Sequence, residues 1–228
     1  MTTLRFPRGV YGITPEWEDT ARLLSAVADA AAGGMTALQF RRKTGEAEAR
    51  RDQAAALRAL CHDLGVAFLV NDDWRLAREI GADGVHLGRD DGSPAEARQA
   101  LGANALIGCS CYDDLSRAAR ALAAGADYIA FGAVYPSRIK PDAVRASLDL
   151  LRQGRALVER SARPGEERSA VVAIGGITAG NAPALIEAGT DSIALISGLF
   201  GEDDIRAAAA RCARLFEAGA WSPPAPGS

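Results

Sequence analysis

The sequence predicts an α/β fold, a closed (β/α)8 barrel of the TIM type that forms a single domain. Eight short apolar runs recur along the 228 residues, and segments rich in Ala, Leu, Arg and Glu with a helical period separate them. Short apolar runs are typical of strands buried on both faces of a parallel sheet. Eight such alternations at this chain length favour closure into a barrel. An open doubly wound sheet stays the alternative, although no Gly-x-Gly-x-x-Gly motif follows the first strand to support it.

The strands and helices are predicted from these runs in chain order. One helix is predicted over residues 16–32, where Leu23, Leu24 and Val27 recur on one face. Another is predicted from residue 144 to about residue 161. The eight strands are predicted over residues 10–13, 37–40, 67–70, 84–87, 105–108, 128–131, 171–174 and 192–195.

Length, charge and hydropathy limit the organisation and the partners of the chain. We expect one barrel domain over residues 1–220 and a Pro-rich tail over residues 221–228 whose composition predicts disorder. A net charge of −3 gives no basic excess, so a nucleic-acid partner is not expected. The chain has no apolar segment of membrane-spanning length and no secretory signal, so we expect a cytoplasmic protein without a membrane partner. Homo-oligomer formation stays open.

The cysteines predict no metal site. Cys61, Cys109, Cys111 and Cys212 do not form two pairs at the spacing of zinc ligands. We expect reduced, small core residues. Cys109 and Cys111 lie two apart in an extended segment, and whether they face the same side or opposite sides is left open.

Long polar side chains lie at the end of the second strand and in the segment after it. Gln39, Arg41 and Lys43 alternate along an extended segment, so all three point to one side, which is the barrel interior if Gln39 points there. A solvated basic turn is the alternative for Arg41 and Lys43. The acidic turns after the next two strands favour a shared site.

Acidic side chains follow the third and fourth strands. Asn71, Asp72 and Asp73 follow one, and Asp90 and Asp91 lie in the turn after the other. One of Asp72 and Asp73 is expected to cap the next helix, which leaves the other free. Because we expect no lysine between the two turns in space, their oxygens form the environment that Mg²⁺ prefers.

Two further polar residues lie on the fourth and fifth strands. His86 points inward, either as a hydrogen-bonded core histidine or as a substrate contact, and both interpretations stay open. Ser110 places a hydroxyl at the catalytic end of the fifth strand. The long segment 131–142 after the sixth strand carries two more cations and is a candidate lid over a bound anion.

Glycine turns follow the last two strands. Gly175 and Gly176 end the seventh strand, and Ile196, Ser197 and Gly198 follow the eighth. In barrels of this class, adjacent turns in these two places bring bare backbone amides and a helix N-terminus to a phosphate group. We therefore predict a phosphate site there.

The site motifs stand in a definite order along the chain. They are residues 39–43 (Gln-Phe-Arg-Arg-Lys), 70–72 (Val-Asn-Asp), 86–91 (His-Leu-Gly-Arg-Asp-Asp), 132–137 (Gly-Ala-Val-Tyr-Pro-Ser), Lys140, 174–177 (Ile-Gly-Gly-Ile) and 196–197 (Ile-Ser). In this order and spacing they resemble the motifs of the thiamine phosphate synthase family. The resemblance runs from about residue 10 to residue 200, and the ordered set is far more specific than any single motif.

The resemblance implies a transferase that joins 4-amino-2-methyl-5-hydroxymethylpyrimidine diphosphate to 4-methyl-5-(2-hydroxyethyl)thiazole phosphate, giving thiamine phosphate and pyrophosphate. It implies Mg²⁺ as the cofactor, held by Asp72 and Asp91, and catalytic roles for Arg41, Ser110 and Lys140. It implies substrate contacts by Gln39, Arg41, Lys43, Asn71, Ser110, Ser137, Lys140, Gly175, Gly176, Ile196 and Ser197.

Three rival functions keep the barrel but not the whole site. A thiazole tautomerase or a phosphosugar epimerase would use the phosphate turns without the residues that bind a metal and a diphosphate. A non-catalytic phosphate-binding paralogue, acting as a sensor or partner subunit, would likewise not need the two carboxylates. Retention of Arg41, Lys43, Asp72 and Asp91 favours the synthase. One departure from the family pattern is Ile139, where the family commonly has threonine.

Overall fold

A computed structural model of the chain describes residues 3–136, 145–163 and 165–218. Its eight strands are all parallel, each pairs with the next, and the last pairs with the first to close the barrel. This confirms the predicted (β/α)8 fold, and each of the eight predicted strands is present. The strands are β1 (Gly9–Ile13), β2 (Met35–Phe40), β3 (Ala67–Asn71), β4 (Gly84–Leu87), β5 (Leu106–Tyr112), β6 (Tyr128–Gly132), β7 (Ala170–Ile174) and β8 (Ser192–Leu195).

Helices follow the strands as predicted, but two of them begin later than their periodicity indicates. The first begins at Thr20 rather than residue 16 because Asp19 caps it, accepting from the amide of Arg22. The sixth begins at Leu148 rather than residue 144, with Ser147 as its cap. Within the described residues the helices are α1 (Thr20–Ala32), α2 (Ala47–Leu64), α3 (Trp74–Ile80), α4 (Pro94–Leu101), α5 (Leu115–Ala123), α6 (Leu148–Ser161), α7 (Ala182–Glu187), α8 (Ser197–Phe200) and α9 (Ile205–Ala218).

The apolar core has two layers, as expected for strands buried on both faces. The larger layer lies between the strands and the surrounding helices, and it contains Cys109 and Cys111, which therefore face the same side of β5. The smaller layer fills the barrel interior and includes Tyr11, Leu69 and Tyr128. Phe6 completes it, with its ring 4.2 Å from that of Tyr128. All four cysteines are free and buried.

Aspartates anchor the end of the barrel opposite the carboxyl ends of the strands. Asp83, Asp127 and Asp191 precede β4, β6 and β8, and each accepts a hydrogen bond from a backbone amide of the preceding strand. Asp191 also pairs with Arg155 and Arg168, at 2.8 and 2.6 Å. The polar connection before β7 supplies Arg168.

No helix in the described ranges is long and apolar enough to cross a membrane. The expected tail at 221–228 lies outside the described residues, so the predicted domain boundary stays a prediction.

Candidate active site

A cavity of about 610 Å³ opens at the carboxyl ends of the barrel strands. It brings together most of the predicted site residues, from six different strands or the turns that follow them. Active sites in (β/α)8 barrels lie at this face. The predicted residues that line it are Gln39, Arg41, Lys43, Asn71, Asp72, Asp91, Ser110, Gly175 and Ile196.

The three long polar side chains at the end of β2 and in the turn after it all reach the cavity, which confirms the predicted alternation. Gln39 is almost fully buried, 3% exposed, whereas Lys43 is exposed. Arg41 is fixed by Glu16, whose carboxylate lies 3.0 Å from its guanidinium. The other Glu16 oxygen accepts from the backbone amide of Lys43 and the hydroxyl of Thr44. The sequence placed Glu16 in a helix and did not identify this role.

At the end of β3, Asp72 and Asp73 divide two roles as expected. Asp73 caps α3 by accepting from the amides of Arg75 and Leu76, both at 3.0 Å. Asp72 adopts a left-handed backbone conformation, with φ of 64°, and its side chain lines the cavity. Aspartate is one of the few non-glycine residues that tolerate this conformation.

The second carboxylate, Asp91, meets the first. Asp91 accepts from the amide of Gly88 at 2.9 Å and is hydrogen-bonded to Asp72. Partial burial, together with the hydrogen bond and negative charge of Asp72, raises the pKa of Asp91 above its usual value. A side chain at Gly88 would bring its Cβ within 2.5 Å of Asp91 Oδ2, so glycine is what leaves room for this contact.

The expectation that no lysine lies between the acidic turns is wrong. Lys43 Nζ lies 3.1 Å from Asp72 Oδ2, and its charge also acts on Asp91. The reason is that β2 and β3 are neighbours in register, so the turn after β2 reaches the turn after β3. The side chain of Lys43 is 54% exposed, so it can turn away at little cost.

Ser110 lines the cavity from β5, and α5 holds its backbone. Arg117 donates to the carbonyl of Ser110 at 2.7 Å and to the carbonyl of Gly88 at 2.9 Å. This guanidinium therefore ties the end of β5 to the turn that carries Asp91. The sequence did not single out Arg117, because nothing in its helix pattern marks it among the neighbouring arginines.

His86 is a hydrogen-bonded core histidine. Its ring nitrogens contact the hydroxyls of Tyr128 and Ser110, both at 2.8 Å. Burial lowers the pKa of His86 to about 4, with the Asp72 charge opposing the shift, so the ring is neutral at neutral pH. His86 also lines the cavity, a position from which a substrate contact stays a prediction.

The glycine turns after β7 and β8 lie side by side at the cavity. Gly175 and Gly176 have φ of 104° and 63°, a region that favours glycine. Gly175 and Ile196 line the cavity, whereas their neighbours Gly176 and Ser197 do not. Ser197 is the first residue of α8, where amides have no intrahelical partner.

Two predicted site residues, Ser137 and Lys140, lie outside the described residues, as do Ile139 and the second half of the predicted lid, residues 137–142. Their roles stay predictions.

The described residues contain no cluster of three or more His, Cys, Asp or Glu side chains able to hold a metal ion. Two carboxylates in contact, one with a raised pKa, are nevertheless a donor set that fits Mg²⁺, which binds through one or two carboxylates and keeps water or phosphate oxygens as its other ligands.

Fold and cavity together define a class of protein, a (β/α)8-barrel enzyme with a polar, charged site at the carboxyl ends of its strands. Comparisons with known proteins identify the family within this class.

The family model described as thiamine monophosphate synthase matches residues 10–199. A thiamine-phosphate synthase of Bordetella pertussis is 59% identical over 216 residues, covering 95% of this chain and 98% of that protein. One from Chromobacterium violaceum is 54% identical over 210 residues, covering 92% and 97%. The structure of a thiamine phosphate pyrophosphorylase from Pyrococcus furiosus superposes with a TM-score of 0.79 at 33% identity, covering 93% of this chain and 97% of that one.

This chain belongs to the thiamine monophosphate synthase family, and it is a transferase that synthesises thiamine phosphate. The family resemblance that the sequence motifs predicted is thereby confirmed.

Proposed function

We propose that the enzyme joins 4-amino-2-methyl-5-hydroxymethylpyrimidine diphosphate to 4-methyl-5-(2-hydroxyethyl)thiazole phosphate, with Mg²⁺ assisting departure of pyrophosphate. The carbon–oxygen bond to the diphosphate breaks with both electrons leaving on oxygen. The lone pair of the thiazole nitrogen then forms the new carbon–nitrogen bond. The observation that carries the proposal is the meeting of Asp72, Asp91 and Lys43 at one side of the cavity.

The charges at this side of the cavity suit a diphosphate and its metal. Asp72 and Asp91 would hold Mg²⁺, which supplies charge neutralisation for the leaving diphosphate. Arg41, which Glu16 holds in place, and Lys43 are two cations that line the cavity, and Asn71 offers an amide donor. Preorganised charges of this kind stabilise a leaving group without reorganising during the reaction. Lys140 is proposed to add a third cation.

The opposite side of the cavity suits the second substrate. We propose that the turns of Gly175, Gly176, Ile196 and Ser197 bind the thiazole phosphate through backbone amides, with Ser137 nearby. Gln39 and Ser110, between the two sides, would contact the pyrimidine. The site would then hold the thiazole nitrogen in line with the breaking bond, so the reaction needs no nucleophile from the protein.

The test is a discontinuous assay with both substrates and Mg²⁺ that follows pyrophosphate and thiamine phosphate, with and without EDTA. We expect both products in equal amounts and only in the presence of the metal. Absence of product would contradict the proposal, and conversion of the thiazole phosphate to its tautomer without pyrimidine would favour the tautomerase instead.

A further inference from the structure

A row of five side chains crosses the barrel interior beneath the cavity. Gln39 Nε2 donates to Tyr11 Oη at 2.7 Å, and Tyr11 Oη lies 2.8 Å from Tyr128 Oη. Tyr128 Oη lies 2.8 Å from His86 Nδ1, and His86 Nε2 lies 2.8 Å from Ser110 Oγ. We call Tyr11, Tyr128 and His86 the tyrosine–histidine network. It connects the two residues proposed to contact the pyrimidine.

Glycine on β5 makes this network possible. His86, Gly108 and Tyr128 lie side by side on β4, β5 and β6. A Cβ at Gly108 would collide with the phenol ring of Tyr128, including its hydroxyl oxygen. Because this position carries no side chain, Tyr128 can reach across β5 to His86. Both tyrosines and the histidine are buried, so each hydroxyl and ring nitrogen must find its partner within the protein.

The network has only two consistent arrangements of hydrogens. Each tyrosine hydroxyl donates one hydrogen, and a neutral imidazole carries one N–H, so reversing one bond reverses all of them. The amide nitrogen of Gln39 can only donate. Tyr11 therefore donates to Tyr128, Tyr128 donates to His86 Nδ1, and His86 Nε2–H donates to Ser110.

We propose that the tyrosine–histidine network is a set of positioning residues that presents an acceptor at Gln39 and a donor at Ser110 to the pyrimidine. With its nitrogen on Tyr11, Gln39 has Oε1 left for a ligand, and no partner for that oxygen is found in the described part of the chain. Ser110 Oγ accepts from His86 and keeps its own hydrogen for the cavity.

This polarity defines a substrate class. The ring that binds here carries an exocyclic amino group facing Gln39 and a lone-pair acceptor facing Ser110, and a ring with the two groups exchanged is rejected. A buried amide that loses its partner costs the full desolvation of that group, which makes such readout selective. The identity of the ring as a pyrimidine rests on the proposed function, whereas the polarity of the network does not.

The first experiment needs no substrate and so stands whether or not the proposed reaction is correct. Nitrogen-15 NMR of the imidazoles distinguishes the two neutral tautomers and the imidazolium. His62→Gln removes the other histidine of the chain and leaves one set of signals to assign. We expect a neutral His86 ring at pH 7 with the proton on Nε2. A proton on Nδ1, or an imidazolium, would overturn the proposal.

The second experiment breaks the network at one hydroxyl. Tyr11→Phe keeps the ring and releases Gln39. We expect kcat/KM for the pyrimidine diphosphate to fall by roughly 10- to 100-fold, the scale of losing a supporting hydrogen bond behind a site residue. KM for the thiazole phosphate should not change. A pyrimidine diphosphate that lacks the amino group should have a much lower kcat/KM than the natural substrate with the unaltered enzyme. With Tyr11→Phe, the kcat/KM values of the two substrates should become similar.

The matched control is Ser192→Ala. It removes another buried hydroxyl of the barrel, one that donates to the carbonyl of Gly9 at 2.9 Å and does not belong to the network. We expect it to leave discrimination against the analogue intact. If Tyr11→Phe lowers activity on both pyrimidines by the same factor, as Ser192→Ala would through lost stability, the network has no positioning role.

Discussion

Asp72 combines a left-handed backbone with a charge that the proposed reaction needs. Its φ of 64° turns the side chain out of the β3 direction and into the cavity, while its amide donates to the carbonyl of His86 at 2.8 Å. Asparagine tolerates the same conformation, whereas alanine would add strain. Asp72→Asn therefore isolates the charge from the geometry.

We expect Asp72→Asn to lower turnover by roughly 100- to 1,000-fold, the scale of removing one preorganised charge-stabilising group. Binding of thiazole phosphate, measured by calorimetry, should be retained. The control is Asp73→Ala, which removes the cap of α3 and should cost about 1 kcal/mol of stability with turnover kept. Turnover of Asp72→Asn equal to that of the unaltered enzyme would contradict the metal assignment.

Gly88 provides the space in which the carboxylate pair forms. Gly88→Ala places a Cβ 2.5 Å from Asp91 Oδ2 and 3.6 Å from Asp72 Oδ1, so Asp91 must move. We expect the Mg²⁺ concentration for half-maximal activity to rise at least about tenfold, as when support of a metal ligand is lost. In Gly180→Ala the nearest atom to the new Cβ within the described part of the chain is Thr178 Oγ1 at 3.8 Å, an ordinary contact, so the metal dependence should stay unchanged.

Helix α5 supports the site through one side chain. Arg117 joins the ends of β4 and β5 through two carbonyls, and hydrogen bonds from a charged donor are about twice as strong as neutral ones. Lysine cannot reproduce this fork. We expect Arg117→Lys to lower kcat about tenfold and to raise the Mg²⁺ requirement, because both Ser110 and Asp91 lose support.

Arg120→Lys is the comparison on the same helix. Arg120 is exposed, and among the described residues its one ion pair is with Asp114 at 3.7 Å, so its replacement should change neither kcat nor the metal requirement. Equal effects of the two substitutions would mean that the hydrogen bonds from Arg117 to the carbonyls of Ser110 and Gly88 do not support the site.

The two ends of the barrel serve different purposes: the cavity lies at the carboxyl ends of the strands, and a buried ion-pair cluster lies at the opposite end. Asp191 is buried with Arg155 and Arg168 at the end away from the cavity, and it also accepts from the amide of Val171. Removing its charge takes away the carboxylate that pairs with the buried guanidinium of Arg168, whereas Arg155 keeps its ion pair with Glu159. In (β/α)8 barrels this end serves stability rather than catalysis.

We expect Asp191→Asn to lower the free energy of unfolding by about 3–5 kcal/mol, measured in urea, with kcat per folded molecule unchanged. Asp52→Asn breaks an exposed pair with Arg51 and should cost less than about 1 kcal/mol. The prediction would be wrong if Asp191→Asn lowered kcat and left the free energy of unfolding unchanged, because Asp191 would then affect catalysis at the other end of the barrel.

The sequence alone predicted the strands, their alternation with helices, the barrel, the family and the two groups of cavity residues. Each of these is encoded locally. Period and length distinguish strands from helices, a run such as Phe68–Leu69–Val70 requires burial on both faces, and turn residues such as Gly175 and Gly176 mark strand ends. The first residues of two helices were predicted too early, because the capping residues Asp19 and Ser147, and not the apolar period, determine where these helices begin.

Only the tertiary structure decided which of these side chains meet. Lys43 pairs with Asp72, Arg168 with Asp191, and Tyr11 with Tyr128, which is 117 residues away in the sequence. Periodicity determines which face of a strand is buried, but contacts across the barrel depend on strand register and closure. The sequence therefore determined the fold and the kind of site, while register and closure determined how charges and hydrogen bonds are shared within it.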